Sequence, residues 1–182
     1  MNFHKINKWL VWSVFMLMGI ATLLIVSYIK NEHTTDLSRI TIDDMQLNAK
    51  IGKDKFIEDD EILLKKHNLY TKHNQPNLVF KVNKGNSKIK GMTLIKNTDV
   101  YTNFGGKIEG NIQDVVHHLG SSYKQKKLRD AYRLMIYYDK DNHIKLSIIY
   151  KHDKIKKIEE TLKTPTKINA KRTKVGIYSQ SV

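Results

Sequence analysis

The residues best suited to contact another molecule form a dense group of cations in the second half of the chain. Lysine and arginine side chains pair with carboxylates and phosphates, and a neighbouring aromatic ring adds stacking or apolar contact. We therefore predict a binding site for an acidic protein or an anionic polymer, although an ordinary solvated loop has the same composition. The predicted site residues are Tyr123, Lys124, Lys126, Lys127, Arg129 and Arg133.

No other group of residues has the spacing that catalysis or metal binding needs. The adjacent histidines 117–118 lie on a predicted helix, where neighbouring side chains point about 100° apart and do not suit one metal ion. Residues 139–143 resemble the start of a calcium loop, but Ile144 stands where that loop needs glycine, so a hairpin turn is the better interpretation. The glycine-rich segment 105–110 lacks the Lys-Ser/Thr of a phosphate-binding loop. We predict no catalytic residue, no cofactor, no metal site and no enzyme activity.

The composition indicates what kind of partner the chain attracts. Of its 182 residues, 32 are Lys or Arg and 18 are Asp or Glu, which gives a formal net charge of +14. This charge favours acidic partners such as lipid head groups, an anionic polymer of the cell envelope or an acidic protein. Nucleic acid is less favoured, because the charge is dispersed and consists mostly of lysine. The chain has no cysteine, which excludes disulfides and thiolate metal sites.

An uncharged run, Trp9–Ile29, dominates the N-terminal part of the chain. As a helix, a run of this length extends about 30 Å, the thickness of a bilayer's hydrocarbon core. It exceeds the apolar segment of a secretory signal peptide and has no cleavage motif. We therefore predict a single-pass transmembrane anchor over 9–29, with a cleaved signal or a buried core helix as alternatives. Lys5 and Lys8 precede the run, which predicts residues 1–8 inside the cell and the C-terminal bulk outside the cytoplasm.

Local patterns predict two helices and several strands after this run. The first helix begins at Glu58, with acidic residues in its first turn and basic residues in its last, as the helix dipole favours. The second lies between Asn111, a candidate N-cap, and Gly120, a candidate C-terminal residue, with an apolar residue every three or four positions. Branched and aromatic runs separated by polar turns predict strands. These strands are 78–82, 89–95, 132–138, 144–150 and 155–162.

These elements predict an α+β domain over residues 46–162, in which short helices pack on an antiparallel sheet. A polar stalk, 30–45, precedes the domain, and a basic tail, 163–182, follows it. Residues 46–95 and 100–162 follow the same order of turn, short helix, loop and strands. This order predicts two degenerate helix–loop–strand repeats, but chance produces similarity of this quality too.

The segment 106–120 carries a resemblance to a known class of module. It resembles the opening of small helix–loop–strand modules of the β-lactamase-inhibitor-protein-like and outer-membrane-lipoprotein-like folds, in which a tyrosine leads into strands, as Tyr123 does here. The resemblance covers about 60 of the 182 residues. It implies tandem modules outside the cytoplasm of a bacterium that bind other proteins or assist envelope assembly. The first half departs from it, because no Leu-Gly ends a helix near residue 52.

We therefore expect a membrane-anchored extracytoplasmic interaction module that binds a protein or an anionic envelope polymer. One alternative is a cell-envelope enzyme whose active site the sequence does not reveal. Another is a cytoplasmic-facing binder of lipid or nucleic acid. No small-molecule substrate is evident from the residues.

Overall fold

The computed structural model describes residues 8–31, 34–62, 64–96 and 99–163. They form two α-helices, one short 3₁₀ helix and eight β-strands. The helices are α1 (Lys8–Asn31) and α2 (Ile112–Leu119), and the 3₁₀ helix is Lys53–Lys55. The strands are β1 (Phe56–Asp59), β2 (His67–Lys72), β3 (Gln75–Asn83), β4 (Ile89–Ile95), β5 (Lys124–Lys127), β6 (Tyr132–Asp139), β7 (Ile144–Lys151) and β8 (Lys154–Leu162).

All eight strands belong to one antiparallel sheet with the order β1-β2-β3-β4-β8-β7-β6-β5. Each half of the chain supplies a four-stranded meander, and the two meanders meet where β4 pairs with β8, for example Leu94 with Ile158. Because neighbouring strands are antiparallel, four strands begin at the end of the sheet where the other four finish. The strands that begin there are β2, β4, β5 and β7, and those that finish there are β1, β3, β6 and β8. We call this the cleft end.

The core lies on one face of the sheet, where alternate residues of each strand point. One cross-strand row traverses six strands, and all of its members are buried. Glu160 is the one charged residue type in this row, and the other members have apolar or tyrosine side chains. The row, in sheet order, is Tyr70, Phe80, Met92, Glu160, Leu146 and Tyr137.

Helix α2 and the segment before β1 cover this face. Ile112 and Val115 of α2 are buried against the sheet, as are Leu37 and Ile42 from the segment predicted to be a stalk. The Asn111 side chain accepts a hydrogen bond from the Gln113 backbone N–H at 2.9 Å, which caps the first turn of α2. The predicted second helix is therefore confirmed, and local capping and the apolar stripe explain it.

The predicted α+β class with helices packed on a sheet is wrong, because the eight-stranded antiparallel sheet dominates the fold. The predicted first helix does not form, since Phe56–Asp59 is strand β1. The carboxylate of Glu58 accepts hydrogen bonds from Asn68 and from the Tyr70 hydroxyl across the β1–β2 pair. Cross-strand pairing thus overrides the local charge pattern. The described residues of 46–95 contain no α-helix, so the helix–loop–strand order is not repeated there.

The strands predicted in both halves are confirmed. The predicted strand 89–95 matches β4, and 78–82 lies within β3. The predicted runs of the second half form the consecutive, hairpin-linked strands β6, β7 and β8. The predicted tail 163–182 lies outside the described residues except for Lys163.

Over the part of the chain that the structure describes, no helix combines the length and the apolar character that crossing a membrane requires. This finding contradicts the predicted transmembrane anchor over 9–29, together with the single-pass topology and the extracytoplasmic placement inferred from it. The uncharged run does form helix α1, and every α1 side chain whose exposure is described lies on the surface. The predicted N-terminal segment 1–8 lies outside the described residues except for Lys8.

Candidate anion-binding cleft

A cleft of about 540 Å³ opens at the cleft end of the sheet. Its walls come from the starts of β2 and β4, the ends of β3 and β8, and the turn between β6 and β7. Four lysines and two histidines lie among its lining residues, and no aspartate or glutamate does. The lining residues are Asn48, Lys66, His67, Lys81, Asn83, Lys90, Asn142, His143, Thr161, Leu162 and Lys163.

The pKa of His67 responds to burial and to the charges of the cleft lysines. Burial lowers this pKa below its ordinary value of 6.5, and the charges of Lys81, Lys66 and Lys90 lower it further. The imidazole of His67 is therefore mostly neutral at pH 7. An anion in the cleft would offset the three lysine charges and favour protonation of the ring.

Two of the cleft lysines are held in place. The Lys90 ammonium donates to the Asn48 side-chain oxygen at 2.8 Å, and the Asn48 backbone N–H in turn donates to the Ile89 carbonyl at 2.9 Å. The Lys163 ammonium lies 3.9 Å from the centre of the Tyr138 ring, a cation–π contact. These contacts reduce the side-chain entropy that an incoming anion would otherwise have to remove.

A second depression of about 380 Å³ continues the cleft toward the edge of the sheet. It shares His143 and Lys163 with the cleft and reaches Lys124 at the start of β5. The Lys124 ammonium lies 6.0 Å from the centre of the same Tyr138 ring. Tyr138 thus separates two lysines on a mostly basic surface, whose lining also includes Asp139.

The structure divides the predicted binding residues among four places. Lys124–Lys127 form the exposed edge strand β5, and alternation along it puts Lys124 and Lys126 on one face. Lys127 pairs with Arg133 on the opposite face, and Arg129 is exposed in the turn before β6. The ring of Tyr123 packs 5.5 Å from that of Tyr137 and joins the core. Of the predicted residues, only Lys124 lines the basic surface described above.

A smaller cavity of about 130 Å³ lies on the core side of the cleft. Asn48 and Asn142 line both the cavity and the cleft. Glu160 lines the cavity, is 1% exposed, and its Oε2 atom has no hydrogen-bond partner among the described residues. Burial raises the pKa of Glu160 to about 8. The other lining residues are Leu37, Ser38, Ile40, Leu47 and Ile144.

The turn that carries Asn142 is fixed by a buried carboxylate. Asp139 accepts hydrogen bonds from the Leu37 backbone N–H at 2.9 Å, from the Asn142 backbone N–H at 2.8 Å and from the Asn142 side-chain amide at 2.9 Å. Burial alone would raise the pKa of Asp139, but these hydrogen bonds lower it below its ordinary value. The hairpin-turn interpretation of residues 139–143 is confirmed. The described residues contain no cluster of three or more His, Asp or Glu side chains that could hold a metal ion.

Similarity to known proteins does not assign the chain to a family. No protein-family model matches it, and neither a curated protein sequence nor a solved structure is significantly similar to it.

Proposed function

We propose that this protein is a non-catalytic binding module whose basic cleft holds the anionic groups of an acidic protein segment or an anionic polymer. The observation that carries the proposal is the convergence of Lys66, Lys81, Lys90 and Lys163 on one concave surface. A concave, partly desolvated surface concentrates the field of its charges and attracts ligands of opposite sign. Lysine ammonium groups act as point charges toward phosphate or carboxylate oxygens.

The neutral groups of the cleft support the same proposal. Asn83, Asn142 and Thr161 supply hydrogen-bond donors beside the cations, and His67 and His143 can each donate through one ring nitrogen when neutral. Several such donors can form hydrogen bonds to the oxygens of one anionic group from different directions. Affinity then depends on the arrangement of the donors in addition to net charge.

The test compares two double variants with the same change in net charge. Lys81→Gln/Lys90→Gln removes two cleft lysines, whereas Lys107→Gln/Lys154→Gln removes two exposed lysines that do not line the cleft. Long-chain inorganic polyphosphate and polyglutamate serve as probes, in fluorescence titrations at two salt concentrations. We expect the cleft variant to weaken binding about threefold to thirtyfold, since each exposed ion pair contributes up to about 1 kcal/mol.

Comparison of the two variants decides between a site and a diffuse charge effect. Binding to the cleft should weaken as salt screens the lysines, and it should respond far more to the cleft substitutions than to the controls. Equal loss of affinity in the two variants would show that net charge alone drives association, and the proposal would then be wrong. Comparison of the two probes tells whether phosphate or carboxylate is preferred.

A further inference from the structure

We infer that the cavity behind the cleft receives a short primary amine carried by the same ligand, so that the ligand class is an anion with an aminoalkyl group beside it. This inference rests on the proposed function and adds the second recognition element. Four observations support it: an unpartnered buried carboxyl group, further acceptor oxygens in the lining, the size of the cavity, and its shared border with the cleft.

Glu160 is the first observation. It lies in the centre of the sheet between Met92 and Leu146, is 1% exposed, and its Oε2 atom is unpartnered among the described residues. Buried polar atoms in folded proteins nearly always have a partner, because leaving one unpaired costs several kcal/mol relative to water. A hydrogen-bond donor that enters the cavity would supply the partner that this oxygen lacks.

The neighbouring polar side chains add acceptor oxygens to the wall that Glu160 forms. The Ser38 hydroxyl donates to Asp36 at 2.6 Å, and the Asn142 side-chain amide donates to Asp139 at 2.9 Å. The oxygens of Ser38 and Asn142 are therefore available as acceptors beside Glu160. Asn142 keeps a second side-chain N–H, and Asn48, whose oxygen accepts from Lys90, keeps its amide N–H groups. An alkylammonium group has three donors, which correspond to the acceptor groups of Glu160, Ser38 and Asn142.

The volume restricts what the cavity admits. About 130 Å³ holds about four non-hydrogen atoms, taking the roughly 30 Å³ that each water occupies in the liquid as the measure. An aminoethyl group lies within this limit, and a trimethylammonioethyl group exceeds it. Because Asn48 and Asn142 border both spaces, an amine in the cavity can belong to a molecule whose anionic group lies in the cleft. The cleft lysines repel a lone cation, so the amine must arrive with its anion.

Binding of the amine has a defined proton balance. With its pKa raised to about 8, Glu160 is mostly protonated at pH 7 in the free protein. The ligand enters as an ammonium ion, which favours the ionised carboxylate next to it. Glu160 then loses its proton to the buffer while the ammonium keeps its own, so that about one proton leaves the protein for each ligand bound.

Isothermal titration of the full-length protein at pH 7 provides the test. The probes are 2-aminoethyl phosphate and 2-hydroxyethyl phosphate, which differ only at the group that would enter the cavity, each in two buffers of different ionisation enthalpy. We expect the amine to bind about tenfold more tightly or better, as hydrogen bonds to charged groups imply, and to release a proton that the alcohol does not. Glu160→Gln should abolish both differences. Glu159→Gln, the same change on the opposite face of β8, should leave both intact.

The outcomes separate the inference from the proposed function. If the two probes bind the wild-type protein equally and without proton release, the cavity holds water only and the inference is wrong, whatever the variants do. If the preference for the amine survives Glu160→Gln, it arises elsewhere and the inference is also wrong. If neither probe nor polyphosphate binds in a manner sensitive to Lys81 and Lys90, the proposed function itself fails.

Discussion

Replacement of Glu160 by glutamine should remove a large part of the pH dependence of stability. Glu160 has a pKa of about 8 in the folded protein, against an ordinary value of 4.5 that applies to the unfolded chain. Between these two values the folded state binds more protons than the unfolded state. The contribution of Glu160 to stability is therefore fully present below pH 4.5 and is lost as the pH rises through 8.

The size of this stability change follows from the difference between the two pKa values. One pKa unit corresponds to about 1.4 kcal/mol, so a separation of about 3.5 gives a total of about 5 kcal/mol. About 3 to 4 kcal/mol of this stabilisation is lost between pH 5 and pH 8. Glutamine keeps the size and the hydrogen-bonding capacity of the side chain but does not titrate in this range.

Urea denaturation at pH 5, 6, 7 and 8 measures this effect. We expect the free energy of unfolding of the wild-type protein to fall relative to that of Glu160→Gln by about 3 to 4 kcal/mol across the series. Groups that titrate equally in both proteins cancel in this difference. Glu159→Gln is the control, because the Glu159 side chain is 39% exposed and contacts Lys157 at the surface. Parallel pH profiles for the wild type and Glu160→Gln would refute the reasoning, because they would mean that Glu160 titrates as an exposed carboxylate does.

Two further predictions concern the local structure and the electrostatics of the cleft. Asn111→Ala should destabilise the protein by about 1 kcal/mol in urea denaturation, since it removes the cap of α2. Asn111→Gly should destabilise it by only about a few tenths of a kcal/mol. Equal stability of the alanine variant and the wild type would contradict the capping role. Lys81→Gln should raise the pKa of His67 toward its ordinary value, because it removes one of the charges that lower it. Titration of the His67 ring by NMR measures this, and Lys107→Gln should produce no such rise.

The elements predicted correctly are those whose causes are local. Helix α2 was predictable because its cap at Asn111, its apolar stripe and the glycine at 120 lie within ten positions of one another and agree. The strands of the second meander were predictable because polar turns separate branched and aromatic runs. The prediction of a first helix is wrong because the acidic residues at its expected start belong to a strand, where Glu58 contacts Tyr70 of the neighbouring strand. Composition alone predicts a membrane span over 9–29, and the helix formed by the described residues contradicts that prediction.

The sequence by itself determined the strong positive charge, the alternation of the strands and the ends of α2, because each depends on residue type or on neighbours along the chain. Only the tertiary structure decided which lysines act together. Lys66, Lys90 and Lys163 are far apart in sequence and meet because antiparallel strands begin and finish at one end of the sheet. It also decided which of two adjacent glutamates is buried: strand register turns Glu160 into the core and leaves Glu159 at the surface, and alternation alone does not tell which face is covered.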